Sequence, residues 1–261
     1  MSKSPSPFIR PDWLPASEPG ARILVLGASG GLGRAVVDML RQGSDCTIGA
    51  HGNTNLYDGV GDDRVLPLQA SLESEADCID VIERFYEAAG GIDALVMLAG
   101  RLSPTDHWDG LSAAEWQADI HLNLNIPFFA ARAALRRMKA QGSGGRIVLN
   151  GTESALHGGS PQSFPYAVAK RGTEALVQGL ARDGAPDGIL VNGVRLGFIA
   201  SGFHQRWSGR NEEQMAERAR LVPLKRGGDP QEAAALIVFL LSGWSRFMTG
   251  QMIALTGGDW L

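Results

Sequence analysis

The sequence predicts a single-domain α/β fold: an open, doubly wound parallel sheet of about seven strands with helices on both faces. Three observations predict it. Short apolar runs alternate with stretches whose apolar residues recur at helical spacing along almost the whole chain. The runs lack strict apolar–polar alternation, as do strands covered on both faces. The first run ends in a glycine-rich turn, Gly27, Gly31 and Gly33, that opens a helix.

The first 20 residues carry Pro5, Pro7, Pro11, Pro15 and Pro19 among serines. Rings without an N–H sustain neither a helix nor a central strand, so 1–20 reads as an extended arm and 21–261 as the domain. Residues 22–27 form the first strand and 32–40 the first helix. Strands follow over 46–50, 64–70 and 94–99, with a helix over 73–89 between the last two. A long helix reads over 112–141. Pro127 lies inside it and offers no N–H to the carbonyl of Asn123, so the helix should bend there and free that carbonyl. A strand over 145–150, a helix carrying Tyr166 and Lys170, a strand over 189–194, a helix over 230–241 and a strand over 251–255 complete the order.

At 261 residues the chain is long enough for one large core, and 44% hydrophobic and 20% charged residues are ordinary for a globular protein. A net charge of −4 leaves no electrostatic footprint for nucleic acid or an anionic membrane. No apolar run approaches the ~20 residues of a membrane span, and the first 20 residues lack the apolar centre of a signal peptide; a cytoplasmic location is the expectation. Cys46 and Cys78 form neither a CxxC pair nor a ligand cluster, so they read as packed, reduced thiols and no metal is expected.

Two features carry chemistry. A glycine turn between a strand and a helix lets the backbone approach a pyrophosphate, and the helix N-terminus supplies free N–H groups and a positive dipole end, as in Rossmann-like folds. Tyr166 and Lys170 stand four residues apart, hence on one helix face. A fixed cation beside a phenol favours phenolate and lowers a pKa that is otherwise about 10, making a usable acid or base. The same spacing also occurs on solvated helix faces, so the pair gains meaning only from its company.

That company resembles the short-chain dehydrogenase/reductase (SDR) family, single-domain type, over roughly 22–261. Gly27, Gly31 and Gly33 match the family's cofactor loop; the run ending in Ala99 and Gly100 matches a strand ending in Asn-Asn-Ala-Gly; Asn123 matches a functional asparagine. Tyr166 and Lys170 match Tyr-x-x-x-Lys, the segment ending at Gly197 matches one ending in Pro-Gly, and Thr249 to Gln251 with Gly257 and Gly258 match the C-terminal strand and turn. The resemblance implies an oxidoreductase that passes hydride between a nicotinamide cofactor and a carbonyl or secondary alcohol. Tyr166 would be the general acid/base. Lys170 would lower its pKa and bind the ribose, and a water at Asn123 would relay protons to solvent. It also implies a homotetramer and a mobile substrate lid over about 201–224.

For the cofactor, the resemblance implies contacts from Gly27, Ser29, Gly30, Gly31, Leu32 and Gly33, from Ser71 and Leu72, from Ala99 and Gly100, and from Gly197, Ile199 and Ser201. No acidic residue ends the second strand to hold a ribose 2′-hydroxyl, which tilts the expectation toward NADP(H), with His51, Asn53 and Arg34 as 2′-phosphate contacts. NAD(H) stays open, because Gly30 stands where many NADP-dependent relatives have arginine.

The third catalytic hydroxyl departs from the family pattern. Thirteen residues before Tyr166 stands Glu153, which cannot donate a hydrogen bond when ionised; alignment from the strand gives Thr152, and Ser154 is the alternative. Leu26, Met97 with Leu98, and Leu196 also replace family residues. These departures motivate a second reading, a cofactor-binding regulator or scaffold with weak catalysis. At the substrate end, Arg101, His157, Gln162 and Phe164 are expected at the pocket edge, with His204, Arg206 and Trp207 on the lid.

Overall fold

The apolar runs pair into one parallel sheet in the computed structural model, which describes residues 8–9, 11–59 and 61–259. Its strands are β1 (Ala21–Leu26), β2 (Cys46–Gly52), β3 (Val65–Gln69), β4 (Ala94–Met97), β5 (Gly145–Thr152), β6 (Ile189–Leu196) and β7 (Met252–Leu255), in the order β3-β2-β1-β4-β5-β6-β7. Ile23, Leu24, Val25 and Leu26 are all fully buried, which explains why apolar residues run on without alternation: both faces are covered. Pro67 sits in β3, an edge strand, where a missing N–H interrupts no central ladder.

The helices are α1 (Gly31–Gly43), α2 (Glu75–Ala89), α3 (Ala113–Ile120), α4 (Ile126–Gln141), α5 (Phe164–Gly184), α6 (Phe203–Ser208), α7 (Glu212–Leu221) and α8 (Pro230–Leu240). One face of the sheet packs under α2, α4 and α5 through Phe85, Met138 and Val177; the other packs under α1 and α8 through Val36, Leu40, Ile237 and Val238. Helix ends follow their capping residues. Ser74 accepts from the Asp77 N–H at 3.2 Å to start α2, and Gly90 closes it in the left-handed conformation. Asp229 and Glu232 form a reciprocal capping box at α8.

Two expectations need correction. The helix read as continuous over 112–141 is interrupted by a π turn, His121–Asn125, in which the Ile126 N–H reaches back five residues to the His121 carbonyl. Pro127, which cannot donate to Asn123, is the physical reason. Strand ends also differ from expectation: β2 extends through His51 and Gly52, and β5 to Thr152 and β6 to Leu196 because their ladder continues to the Thr152–Leu196 pair, whereas β4 stops at Met97, two residues short of the expected end.

Met97 is buried in the core on one face of the sheet and Leu98 packs against the core on the other, so apolar contacts replace the amides expected there. Cys46 and Cys78 are buried free thiols, and burial pushes the Cys78 thiol up to about 12. Of the predicted arm, residues 1–7 and 10 lie outside the described residues. Its second half runs back over the end of α1: the Ser17 N–H donates to Ser44 Oγ at 2.9 Å, and Glu18 pairs with Arg246 at 2.7 Å. Among the described residues, no helix is long and apolar enough to cross a membrane.

Candidate active site

The strand order reverses between β1 and β4, and in open parallel sheets the crevice at such a point, outside the strands' carboxyl ends, receives ligands. A cleft of about 1780 Å³ opens there. It brings together residues from both halves of the chain, among them every catalytic candidate and every cofactor contact read from the sequence except Arg34.

At one end lies the glycine turn. Gly27 has φ +93°, and a Cβ on it would lie 2.7 Å from the Ala99 nitrogen, so the turn closes directly onto the end of β4. A Cβ on Gly33 would lie 2.1 Å from the Gly27 carbonyl oxygen; one on Gly31 would lie 2.1 Å from that of Ser201. Only glycine permits these approaches. Gly30 caps α1 without a side-chain hydrogen bond, and the first turn of α1 carries no acidic residue, so its N–H groups face the cleft open to an anion.

The residues expected at a 2′-phosphate are placed differently from one another. His51 is buried: its Nδ1 accepts from the Gly27 N–H at 3.2 Å, and Nε2 lies 3.0 Å from the Ala70 carbonyl oxygen. An accepting Nδ1 places the proton on Nε2, which donates to Ala70. Burial pushes the imidazole below its usual range, so the ring is neutral. His51 therefore braces the glycine turn rather than offering charge to a ligand, a correction that follows from β2 running two residues further than expected. Arg34 pairs with Asp58 on the surface and packs over the Tyr57 ring. Asn53 is exposed on the cleft, with its carbonyl held by Gln69 at 3.0 Å; Ser71 donates to Glu73 at 2.7 Å.

At the other end, the first turns of α5 present Tyr166 and Lys170, 8% and 3% exposed. Lys170 Nζ lies 5.8 Å from the phenol ring centroid and donates to the Asn150 carbonyl at 3.0 Å. Here burial overrides the expected effect of the cation. Loss of water disfavours both charged forms: the phenol is held above its ordinary value, with the charge of Asp119 adding to the effect, and the Lys170 ammonium is pushed down to about 8. Asn123, in the π turn, is fully buried; its Nδ2 donates to Asp119 Oδ1 at 2.7 Å and to the Asp119 carbonyl at 3.2 Å, while its Oδ1 has no partner.

Thr152 Oγ1 and Ser154 Oγ lie 3.2 Å apart, so the two candidate hydroxyls form one hydrogen-bonded unit on the cleft wall. Glu153 between them is buried, and burial raises its carboxyl. At the substrate end, Arg101, His157, Gln162, His204, Arg206 and Trp207 line the cleft. Phe164 is not among the lining residues; it packs on His107, centroids 4.9 Å apart, and on Trp116 at 6.0 Å. His204 is sandwiched with Phe198 and Phe203, and burial pushes it down to about 4. Met215 of α7 packs with Phe198 and Val222 in a small cluster, and Arg218 of the same helix pairs with Asp259.

Asp119, Asn150, Phe203 and Asp259 escaped the sequence reading. Asp119 stands one helical turn before Asn123, a spacing that could have revealed it. Asp259 directly follows Gly257 and Gly258, whereas nothing in the sequence marks Asn150 or Phe203.

Residues 27–259 match the family model described as enoyl-(acyl carrier protein) reductase. Over 246 residues the chain is 33% identical to the L-rhamnose 1-dehydrogenase (NAD(P)(+)) of Azotobacter vinelandii, covering 90% of this chain and 95% of the relative. It is 30% identical over 247 residues to the 3-oxoacyl-[acyl-carrier-protein] reductase FabG of Vibrio cholerae, covering 93% and 98%. The crystal structure of a dehydrogenase/reductase from Sinorhizobium meliloti superposes with a TM-score of 0.83 at 25% identity, covering 94% of this chain and 97% of that one.

Proposed function

The chain belongs to the short-chain dehydrogenase/reductase family and is an NAD(P)-dependent enzyme, and from that premise we propose that it interconverts a carbonyl compound and a secondary alcohol with Tyr166 as general acid/base. The observation that carries this reading is the convergence of the open α1 N-terminus and the buried Tyr166–Lys170 pair on one cleft. The donor set fits a dinucleotide: N–H groups at the glycine turn for a pyrophosphate, and the Lys170 ammonium at the far end for ribose hydroxyls. A nicotinamide bound there accepts or supplies the hydride.

The chain's own residues handle the proton. The Tyr166 hydroxyl donates to a substrate oxygen during reduction and takes the proton back during oxidation. The phenol is protonated at neutral pH, as a donor must be, and the Lys170 ammonium beside it favours release of that proton against the cost of burial. The Thr152 hydroxyl steadies the same oxygen, with Ser154 fixing its orientation through their mutual hydrogen bond. Lys170 would recover its proton from a water held at the main-chain carbonyl of Asn123, which Pro127 leaves without its ordinary helical donor.

NADP(H) is the favoured cofactor in this reading. Residues 51–55 carry no acid to repel a 2′-phosphate. The Arg34–Asp58 pair is exposed and screened by solvent, so Arg34 is free to exchange partners. Assembly as a homotetramer rests on the family resemblance and is tested by light scattering.

The test is oxidation of NADPH and NADH by purified protein with a panel of ketones, aldehydes and aldose sugars. Turnover on any of them supports the enzyme. Tight cofactor binding with no turnover across the panel favours the regulator reading instead.

A further inference from the structure

Around Lys170 the site holds three buried side-chain oxygens without partners: Asn123 Oδ1, Asn150 Oδ1 and Asp119 Oδ2. They are connected. The Cβ position of Gly100 is 3.0 Å from Asn123 Oδ1 and 3.8 Å from Lys170 Nζ, Asn150 supplies the carbonyl that Lys170 contacts, and Asp119 holds the amide of Asn123. Asp119 is the member with no task in the proton-transfer reading.

A buried carboxylate is costly unless a cation compensates it. Asp119, near the end of α3, is 3% exposed. The groups that face it are Lys170 and Tyr166 from α5, Arg101 from the loop after β4, and the Asn123 amide from the π turn. Lys170 for its part is equally buried and forms no salt bridge among the described residues. An asparagine at 119 could accept the same hydrogen bond from Asn123, so local structure does not require the charge.

We propose that Asp119 is the buried counter-charge of Lys170, a positioning residue that keeps the ammonium protonated inside the dry end of the cleft. This rests on the reading of Tyr166 and Lys170 as the proton-transfer pair, yet the coupling itself is measurable without turnover. Burial holds the Asp119 carboxyl up at about 6 and Lys170 down at about 8, so both are charged between those values. Protonating Asp119 below that window, or replacing it, removes the anion that favours the ammonium.

The chain has four lysines, Lys3, Lys139, Lys170 and Lys225, which makes Lys170 separable by NMR of isotope-labelled lysine, with Lys170→Met giving the assignment. In the wild type, the Lys170 midpoint should lie well below those of the other three. In Asp119→Asn it should fall by about one further pH unit. Asp119→Glu, which restores the charge, should return it toward the wild-type value, and Asp119→Leu serves where the asparagine variant fails to fold. A Lys170 midpoint unmoved by the loss of charge overturns the proposal. If the midpoint moves but the wild type turns over no carbonyl compound, the pairing stands and the catalytic reading falls. If Tyr166→Phe abolishes turnover while the midpoint stays fixed, the pairing alone falls.

Discussion

Beneath the glycine turn, buried polar groups are satisfied: His51 uses both ring nitrogens, one on the Gly27 N–H and one on the Ala70 carbonyl. Around Lys170, 3% exposed, three buried oxygens have no partner and two ionisable groups are stripped of water. The difference separates a finished platform from a working site. Fully satisfied networks rigidify, whereas unpartnered buried groups cost stability and persist where they serve chemistry. Substitutions at the first end should act on stability and on cofactor affinity in general; those at the second should act on turnover and its pH dependence.

The largest effect expected from that contrast is at Lys170. Lys170→Met should lower turnover by about 10²- to 10⁴-fold in steady-state assays, because the phenol loses both its cation and its path for protons. Next come the paired hydroxyls. Thr152→Val should lower kcat about 10²-fold and Ser154→Ala by about tenfold or less; the reverse ranking would transfer the oxygen-binding role to Ser154.

At the glycine end, His51→Ala leaves a buried N–H and a buried carbonyl without partners, and should cost about 1–3 kcal/mol in urea melts. It should weaken NADPH and NADH by the same factor in fluorescence titrations. Selective loss of NADPH would mean that His51 meets the 2′-phosphate after all. The smallest effect has the opposite sign. The Asp119 carboxyl is raised from 3.8 to about 6 by burial, so its cost is absent below about 3.8 and complete above about 6. Asp119→Asn should therefore gain about 1–2 kcal/mol of stability at neutral pH and nothing near pH 3.8. Paired melts at those two pH values check it.

Much of this was legible in the chain. Apolar runs, caps and the glycine spacing carry the order of elements, since they act through neighbours in sequence. Pro127 announced the break at Asn123, although not that a π turn would absorb it. What sequence could not show depended on contacts across the fold. The end of β2 turned His51 inward because β1 and β3 extend the ladder around it. The cation expected to lower the Tyr166 pKa sits beside it, but in a pocket dry enough for desolvation to win, and dryness is a property of the packed structure. Asp119 carries no motif of its own and acquires meaning only from α5 packing against α3.

Tyr166→Phe examines the assignment of the proton step most directly. Nicotinamide oxidation should be followed in a single turnover, with a carbonyl substrate found in the panel, beside a fluorescence titration of NADPH. The variant should bind NADPH within about twofold of the wild type and transfer hydride about 10²- to 10⁴-fold more slowly. Hydride transfer at the wild-type rate in the variant would contradict Tyr166 as the acid/base.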